Sequence, residues 1–215
     1  MKILLTLLAS LFALTAQAQT TFEHFTAKDE WPAFEAPDGT PMPNIIFPGE
    51  FFCTGGGEPV GLFVCSGGKG IHIRGTEMIS YLGNSEPYDP RLEGMVWFDI
   101  AANWDSDYTG PVIGNWRIEP YASEGYWEGT YTGKRELVPD PMLPPGVLKW
   151  ETTLKLKGYG MGDLAGMQIK ATEVVTTYGD VFNRLPVPWE LLPAELQLLI
   201  GTGPEGLVDI TIITQ

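Results

Sequence analysis

The sequence predicts an all-β protein: an antiparallel β-barrel of about eight strands with an N-terminal Pro-rich arm and one short helix in its C-terminal half. Three observations predict it. Residues 147–157 alternate strictly, with Leu148, Trp150, Thr152, Leu154 and Leu156 on one face and Lys149, Glu151, Thr153, Lys155 and Lys157 on the other, the period-2 pattern of a strand with one wet side. Further short runs rich in β-branched and aromatic residues follow one another, with turn-forming residues between them. The 215 residues include 26 Gly and 18 Pro, the excess that many tight turns demand.

The chain opens with Met1 and Lys2, an apolar run over 3–14 broken by Thr6 and Ser10, and then Ala16-Gln17-Ala18. A positive start, an apolar core and a small-x-small site are the parts of a cleavable signal peptide, expected at 1–18, and the run is too short for a transmembrane helix. The protein is therefore expected to be secreted or periplasmic, with no transmembrane anchor. Residues 19–57 read as an extended arm. Pro32, Pro37, Pro41, Pro43 and Pro48 interrupt any ladder there, while Phe22, Phe25, Trp31, Phe34, Phe47, Phe51 and Phe52 need burial against the domain. The barrel domain is expected over 58–215. Cys53 and Cys65 are the only cysteines, and in an oxidising compartment they should bond to each other across a glycine-rich turn. Strands are expected at 60–65, 70–75, 77–82, 94–102, 112–119, 126–135, 147–157, 167–177 and 207–214. Pro193 and Gly201 bracket the expected helix, whose Leu192, Leu196, Leu199 and Ile200 would plug one barrel end.

Asp and Glu number 27 against 13 Lys and Arg, a formal net charge of −14. This acidity excludes nucleic acid as a partner, because its phosphates would be repelled. His24 and His72 are the only histidines and no H-x-x-x-H or C-x-x-C spacing exists, so neither a metal nor a cofactor is expected. His72 lies opposite Ile71 and Ile73 on its strand and is a candidate ligand contact. The run from Asp105 to Gly110 imitates the opening of a calcium loop. Its twelfth position is Trp116 instead of the bidentate Glu, so it reads as a hairpin turn. Gly201, Gly203 and Gly206 spell G-x-G-x-x-G, but after a helix and before a strand, the reverse of the dinucleotide-binding order.

Two acids sit on apolar strand faces: Asp99 with Met95, Trp97 and Ala101, and Glu173 with Met167, Ile169, Ala171 and Val175. Such an acid is either buried with an altered proton affinity or placed at a barrel mouth, so Asp99, Glu173 and Trp97 are expected to line a ligand pocket. Trp97, Trp127 and Trp150 suit a barrel core, whereas Trp104 and Tyr108 belong to the acidic hairpin and are expected to be exposed, as a sugar-stacking face requires.

The strand Gly125-Tyr126-Trp127-Glu128-Gly129-Thr130-Tyr131-Thr132-Gly133 and the later Gly158-Tyr159-Gly160-Met161-Gly162 carry a W-x-G and a G-x-G-x-G pattern. Over residues 93–177 the chain thereby resembles the allene-oxide-cyclase-like and dirigent-like small β-barrels and similar secreted bacterial proteins. The resemblance implies an eight-stranded antiparallel barrel whose apolar interior holds a small hydrophobic molecule. None of those families' catalytic residues has a match here, so the resemblance implies fold and not activity. The expected function is binding of a small apolar or amphipathic ligand by an exported barrel. The alternatives are a barrel-type isomerase, cyclase or carboxylate-based hydrolase acting through Asp99 or Glu173, and an extracellular interaction or carbohydrate-binding module presenting Trp104.

Overall fold

The structure, a computed structural model, describes residues 19–30, 34–35, 41–42, 45–47, 49–61, 64–143, 145–180 and 205–214. The expected leader at 1–18 and the expected helix at 193–201 lie outside the described residues. Strands follow in chain order: β1 (Thr21–Glu30), β2 (Phe34–Glu35), β3 (Pro41–Met42), β4 (Ile45–Phe47), β5 (Glu50–Thr54), β6 (Glu58–Gly61), β7 (Val64–Ser66), β8 (Gly70–Glu86), β9 (Gly94–Asp105), β10 (Gly110–Pro120), β11 (Tyr126–Val138), β12 (Val147–Met161), β13 (Met167–Asp180) and β14 (Glu205–Thr214). A 3-10 turn at Gly162–Leu164 joins β12 to β13. Among the described residues no helix is long and apolar enough to cross a membrane.

Eight strands form the barrel, in the order β1-β14-β13-β12-β11-β10-β9-β8, with β8 pairing back to β1. Every pairing is antiparallel. From β8 to β14 each strand lies beside its successor in sequence, the arrangement that short connections favour. Closure removes the exposed edges that an open sheet of this size would leave.

β1 comes from the stretch expected to be an arm, and the boundary at 57/58 is corrected accordingly. Its Phe25, Ala27 and Asp29 are buried while Thr26 and Glu30 are exposed, an alternation too short to stand out beside the prolines that follow. β4 and β5 pair with the first half of β8, the part that β1, paired only to residues 81–86, does not reach.

The expected strands at 70–75 and 77–82 are one strand, β8. Its register to β9 shifts between Ile73 and Thr76, and Gly75 there has φ +64, the left-handed conformation that glycine supplies at a bulge. The expected strand at 60–65 is instead the β6–β7 ribbon, outside the barrel. The Cys53–Cys65 disulfide, with Cα atoms 5.7 Å apart, ties β5 to β7.

The interior is filled by side chains. Trp127 and Trp150 are fully buried, and Trp116, Phe98 and Tyr131 nearly so, among Ile71, Ile169, Ile210 and Ile212. Phe98 and Tyr131 meet edge to face at 5.7 Å, a favoured aromatic geometry. Trp116 reaches over the inner face of β12, where a Cβ on Gly158 would stand 2.7 Å from its ring. The indole N–H groups find acceptors: Trp127 Nε1 donates to the Arg91 carbonyl at 2.8 Å and Trp150 Nε1 to the Asp107 carbonyl at 2.9 Å. Each bond anchors a loop to the core, one at either end of the barrel. At the Arg91 end the guanidinium also pairs with Asp89 and Glu23, the latter on β1.

Candidate functional site

A groove of about 810 Å³ lies open on the outer wall, across β8 to β12. Along each strand successive side chains alternate between core and solvent, and the register sets the outward ones side by side. Glu77, Asp99, Asn115 and Thr130 form one row across β8, β9, β10 and β11. Trp97, Arg117, Glu128 and Tyr159 form the next, across β9 to β12. Asp99, Asn115 and Thr130 of the first row are shorter than Trp97, Arg117 and Tyr159 of the second, and both rows line the groove.

Trp97 and Tyr159 stand at opposite ends of their row, three strand spacings or about 14 Å apart. Trp97 is 40% exposed and Tyr159 63%. Between them Arg117 lies 3.9 Å above the Tyr126 ring and pairs with Glu119 at 2.8 Å, so its orientation is fixed from two sides. Asn115 Nδ2 donates to Asp99 Oδ2 at 3.2 Å. The groove thus offers aromatic surface at both ends with amide, hydroxyl, carboxylate and guanidinium groups between. Behind it the wall is stiff. A Cβ on Gly129 would stand 2.0 Å from the Lys157 carbonyl, so β11 and β12 are drawn together where the groove crosses them.

Trp97 and Asp99 do share a face, as the sequence predicts, but that face is the outside of the barrel. Val96, Phe98 and Ala102 take the interior. Both faces of β9 are apolar enough to be the core, and the larger ring on the wrong face misleads. Glu173 faces inward as expected and is buried. His72 is half-buried on β8 between Phe52 and Asn103 and does not line the groove. Trp104 is not the exposed platform expected of it: it is half-buried and turned in, 5.2 Å from the Arg135 guanidinium. Tyr108 follows it inward, with φ +59 and its hydroxyl on the Cys65 backbone. In the same turn Asp105 is committed to the backbone, accepting from the Asp107 and Thr109 amides at 2.8 and 3.1 Å, which explains the calcium-like spacing as turn chemistry.

Two polar groups inside the barrel were not legible as such. Asp29 projects from β1 beside Glu173 and Ser80, all three buried. Burial pushes the Asp29 carboxyl up to about 7 against the opposing hydrogen bonds of Glu173 and Ser80, with Glu30 adding to the rise. Burial first, and then the charge and hydrogen bond of Asp29, hold the Glu173 carboxyl well above the ordinary range. Two ionised carboxyls in contact here would repel each other without water; a proton held between them removes that repulsion. Arg135 projects from β11 into the same interior, buried between Trp104 and Trp150. Its signal in the sequence is the spacing of Trp127, Gly129, Tyr131, Gly133 and Arg135 on one face, which carries the inward series one step past its last aromatic.

Comparison with protein-family models, with curated proteins and with solved structures found no match to the chain.

Proposed function

We propose that this protein is a binding module that acts outside the cytoplasm and holds a small amphipathic ligand of the saccharide type in the groove on its outer wall. The observation that carries the reading is the row Trp97, Arg117, Glu128, Tyr159 beside the row Glu77, Asp99, Asn115, Thr130. Sugar rings combine an apolar face, which stacks on exposed aromatics, with hydroxyls that both donate and accept, and the groove supplies partners for both kinds of surface. Its volume lies within the roughly 300–1,000 Å³ of ligand sites. Every contributing residue stands on a strand of the closed barrel, where positions are held better than on loops. The interior expected to hold an apolar molecule is occupied by the protein's own rings, which favours the outside. The disulfide supports an oxidising location.

The test is a calorimetric titration of the protein with a panel of neutral oligosaccharides, followed by Trp97→Ala and Tyr159→Ala. Binding by the parent and a loss of about tenfold or more in each variant, about 1.4 kcal/mol, is the expected result, with unchanged circular dichroism because both rings point to solvent. Failure of every glycan to bind, or full affinity in Trp97→Ala, overturns the reading. Glu77 and Asp99 are direct cross-strand neighbours, so chromatography of the titrated glycan separates binding from hydrolysis: intact glycan is the outcome expected of a binding module.

A further inference from the structure

Among the described residues the guanidinium of Arg135, a buried charge, is held by aromatic faces and has no anionic partner. Its Cζ lies 5.2 Å from the Trp104 ring centroid and 5.1 Å from that of Trp150, so the two π faces cover it. Nη1 reaches Thr152 Oγ1 at 3.5 Å, a long and weak bond. Nε and Nη2 are buried without a partner, and so are Trp104 Nε1 and Thr177 Oγ1 nearby on the same wall. Thr177 faces Trp150 across the β12–β13 pairing, and Thr152 faces Arg135 across β11–β12. The indoles of Trp116, Trp127 and Trp150 find acceptors, whereas these four polar atoms at and near Arg135 are buried without one among the described residues.

The acid pair does not serve Arg135. Glu173 lies opposite Leu154, one row and two strands away, or about 10 Å across the sheet, and it is turned to Asp29. The guanidinium is pushed down to about 9 by burial, the one cause acting on it. A desolvated cation without a counter-charge is among the costliest groups a core can hold, and its retention calls for a partner from outside the described residues.

The geometry points to a carboxylate-binding site at Arg135, a second site distinct from the outer groove. Nε and Nη2 are the two donors on one edge of the guanidinium, and they are the pair that bonds the two oxygens of a carboxylate in parallel. A carboxylate placed there breaks no existing hydrogen bond. The indole N–H of Trp104 stands beside it as a further donor. Inward-facing Trp104, Leu148, Thr152 and Thr177 at this end are half-buried, where their counterparts deeper in the barrel are closed off, so the site lies at a rim and not at the centre. The carboxylate is either a free small acid or the head of an amphipathic one whose apolar tail lies along Leu148.

Nuclear magnetic resonance of the arginine Nε–H groups, with acetate, decanoate and chloride titrated in separate arms, tests this on the full-length barrel. A saturable shift of the Arg135 signal with acetate or decanoate, in the millimolar range or tighter, is expected, and a tighter response to decanoate identifies the amphipathic source. Chloride offers one acceptor atom to the two donors in place of two parallel oxygens and should shift the signal more weakly than either carboxylate. No saturable shift with either carboxylate, or an equal shift with chloride, overturns the proposal. Arg135→Met provides the second arm: it should fold in carboxylate-free buffer and lose the thermal stabilisation that the parent gains from the bound acid. Stabilisation of the variant by acetate and decanoate to the same extent as the parent also overturns it.

Discussion

Asp29, Glu173 and Gly206 form one contact on the inner wall, made by β1, β13 and β14. In the register Gly206 is opposite Asp29 on one side and Val175 on the other, two residues along β13 from Glu173. A Cβ at Gly206 would stand 2.6 Å from Glu173 Oε1 and 3.0 Å from the Asp29 Cβ. The missing side chain is the space in which the carboxyls meet. Replacing Gly206 with alanine should push Glu173 off Asp29 with no solvent to receive it, a loss of about 1–3 kcal/mol. For a chain of this size that is about 2–4 °C of melting temperature per kcal/mol, which differential scanning calorimetry measures; a melting temperature equal to the parent's would show that the acids have room to spare. Half of this contact could be read from the sequence. Glu173 lies in an unbroken apolar alternation, whereas Asp29 ends a strand of three inward residues immediately before a proline-rich stretch, where composition speaks for an arm.

Among the elements, β12 and β9 show what decides legibility. In β12 the outward face carries lysines and a glutamate along 147–157, so only one face can be the core, and the structure buries Trp150, Leu154 and Leu156 as the sequence predicts. In β9 both faces are largely apolar, so side-chain period alone does not choose between them, and burying Val96 and Phe98 puts Trp97 and Asp99 into the groove. Of the groove only Trp97 and Asp99 were therefore nameable from the sequence, and the face they occupy was not. The strands of the arm had a different difficulty, since β4 and β5 are defined by where β1 leaves the edge of β8 free, a tertiary fact without a local signal. The disulfide belongs to this scale as well. It joins β5 to the β6–β7 ribbon, outside the ring, so removing it should loosen the arm and spare the barrel. In Cys53→Ser/Cys65→Ser, hydrogen exchange should show protection lost over 50–66, up to about 3 kcal/mol in the chain-entropy view of such a loop, with protection in β9 to β13 retained. Collapse of protection throughout the ring would mean that the arm, and not β1 alone, holds the barrel closed.

The whole molecule is a closed ring, and the seam that closes it carries the buried acids. β1 is the strand that joins β14 to β8; Asp29 projects from it, Glu173 from β13 and Ser80 from β8. Glu30, at the end of β1, adds negative potential, and Tyr131 on β11 is itself pushed up by burial and by the charges of Asp99 and Glu173. Protonated, the pair is a neutral hydrogen-bonded contact in an apolar wall; ionised, it sets two like charges against each other without water. Both carboxyls keep protons in the folded barrel that an unfolded chain gives up near pH 4, so the pair's contribution to stability is complete below about pH 4 and declines as pH rises. The decline runs through about 7 for Asp29, and Glu173, held well above the ordinary carboxyl range by burial, contributes in the same direction. Ordinary surface carboxylates are already ionised between pH 6 and 8 and add no slope in that window. The melting temperature should accordingly fall from pH 6 to pH 8 by at least the 2–4 °C that about 1 kcal/mol represents in a protein of this size. Asp29→Asn/Glu173→Gln, in which neither side chain ionises, should flatten the profile, matching or exceeding the parent at pH 8. A parent profile level across the window, or a double variant that slopes as steeply as the parent, would show that the seam closes with both acids charged.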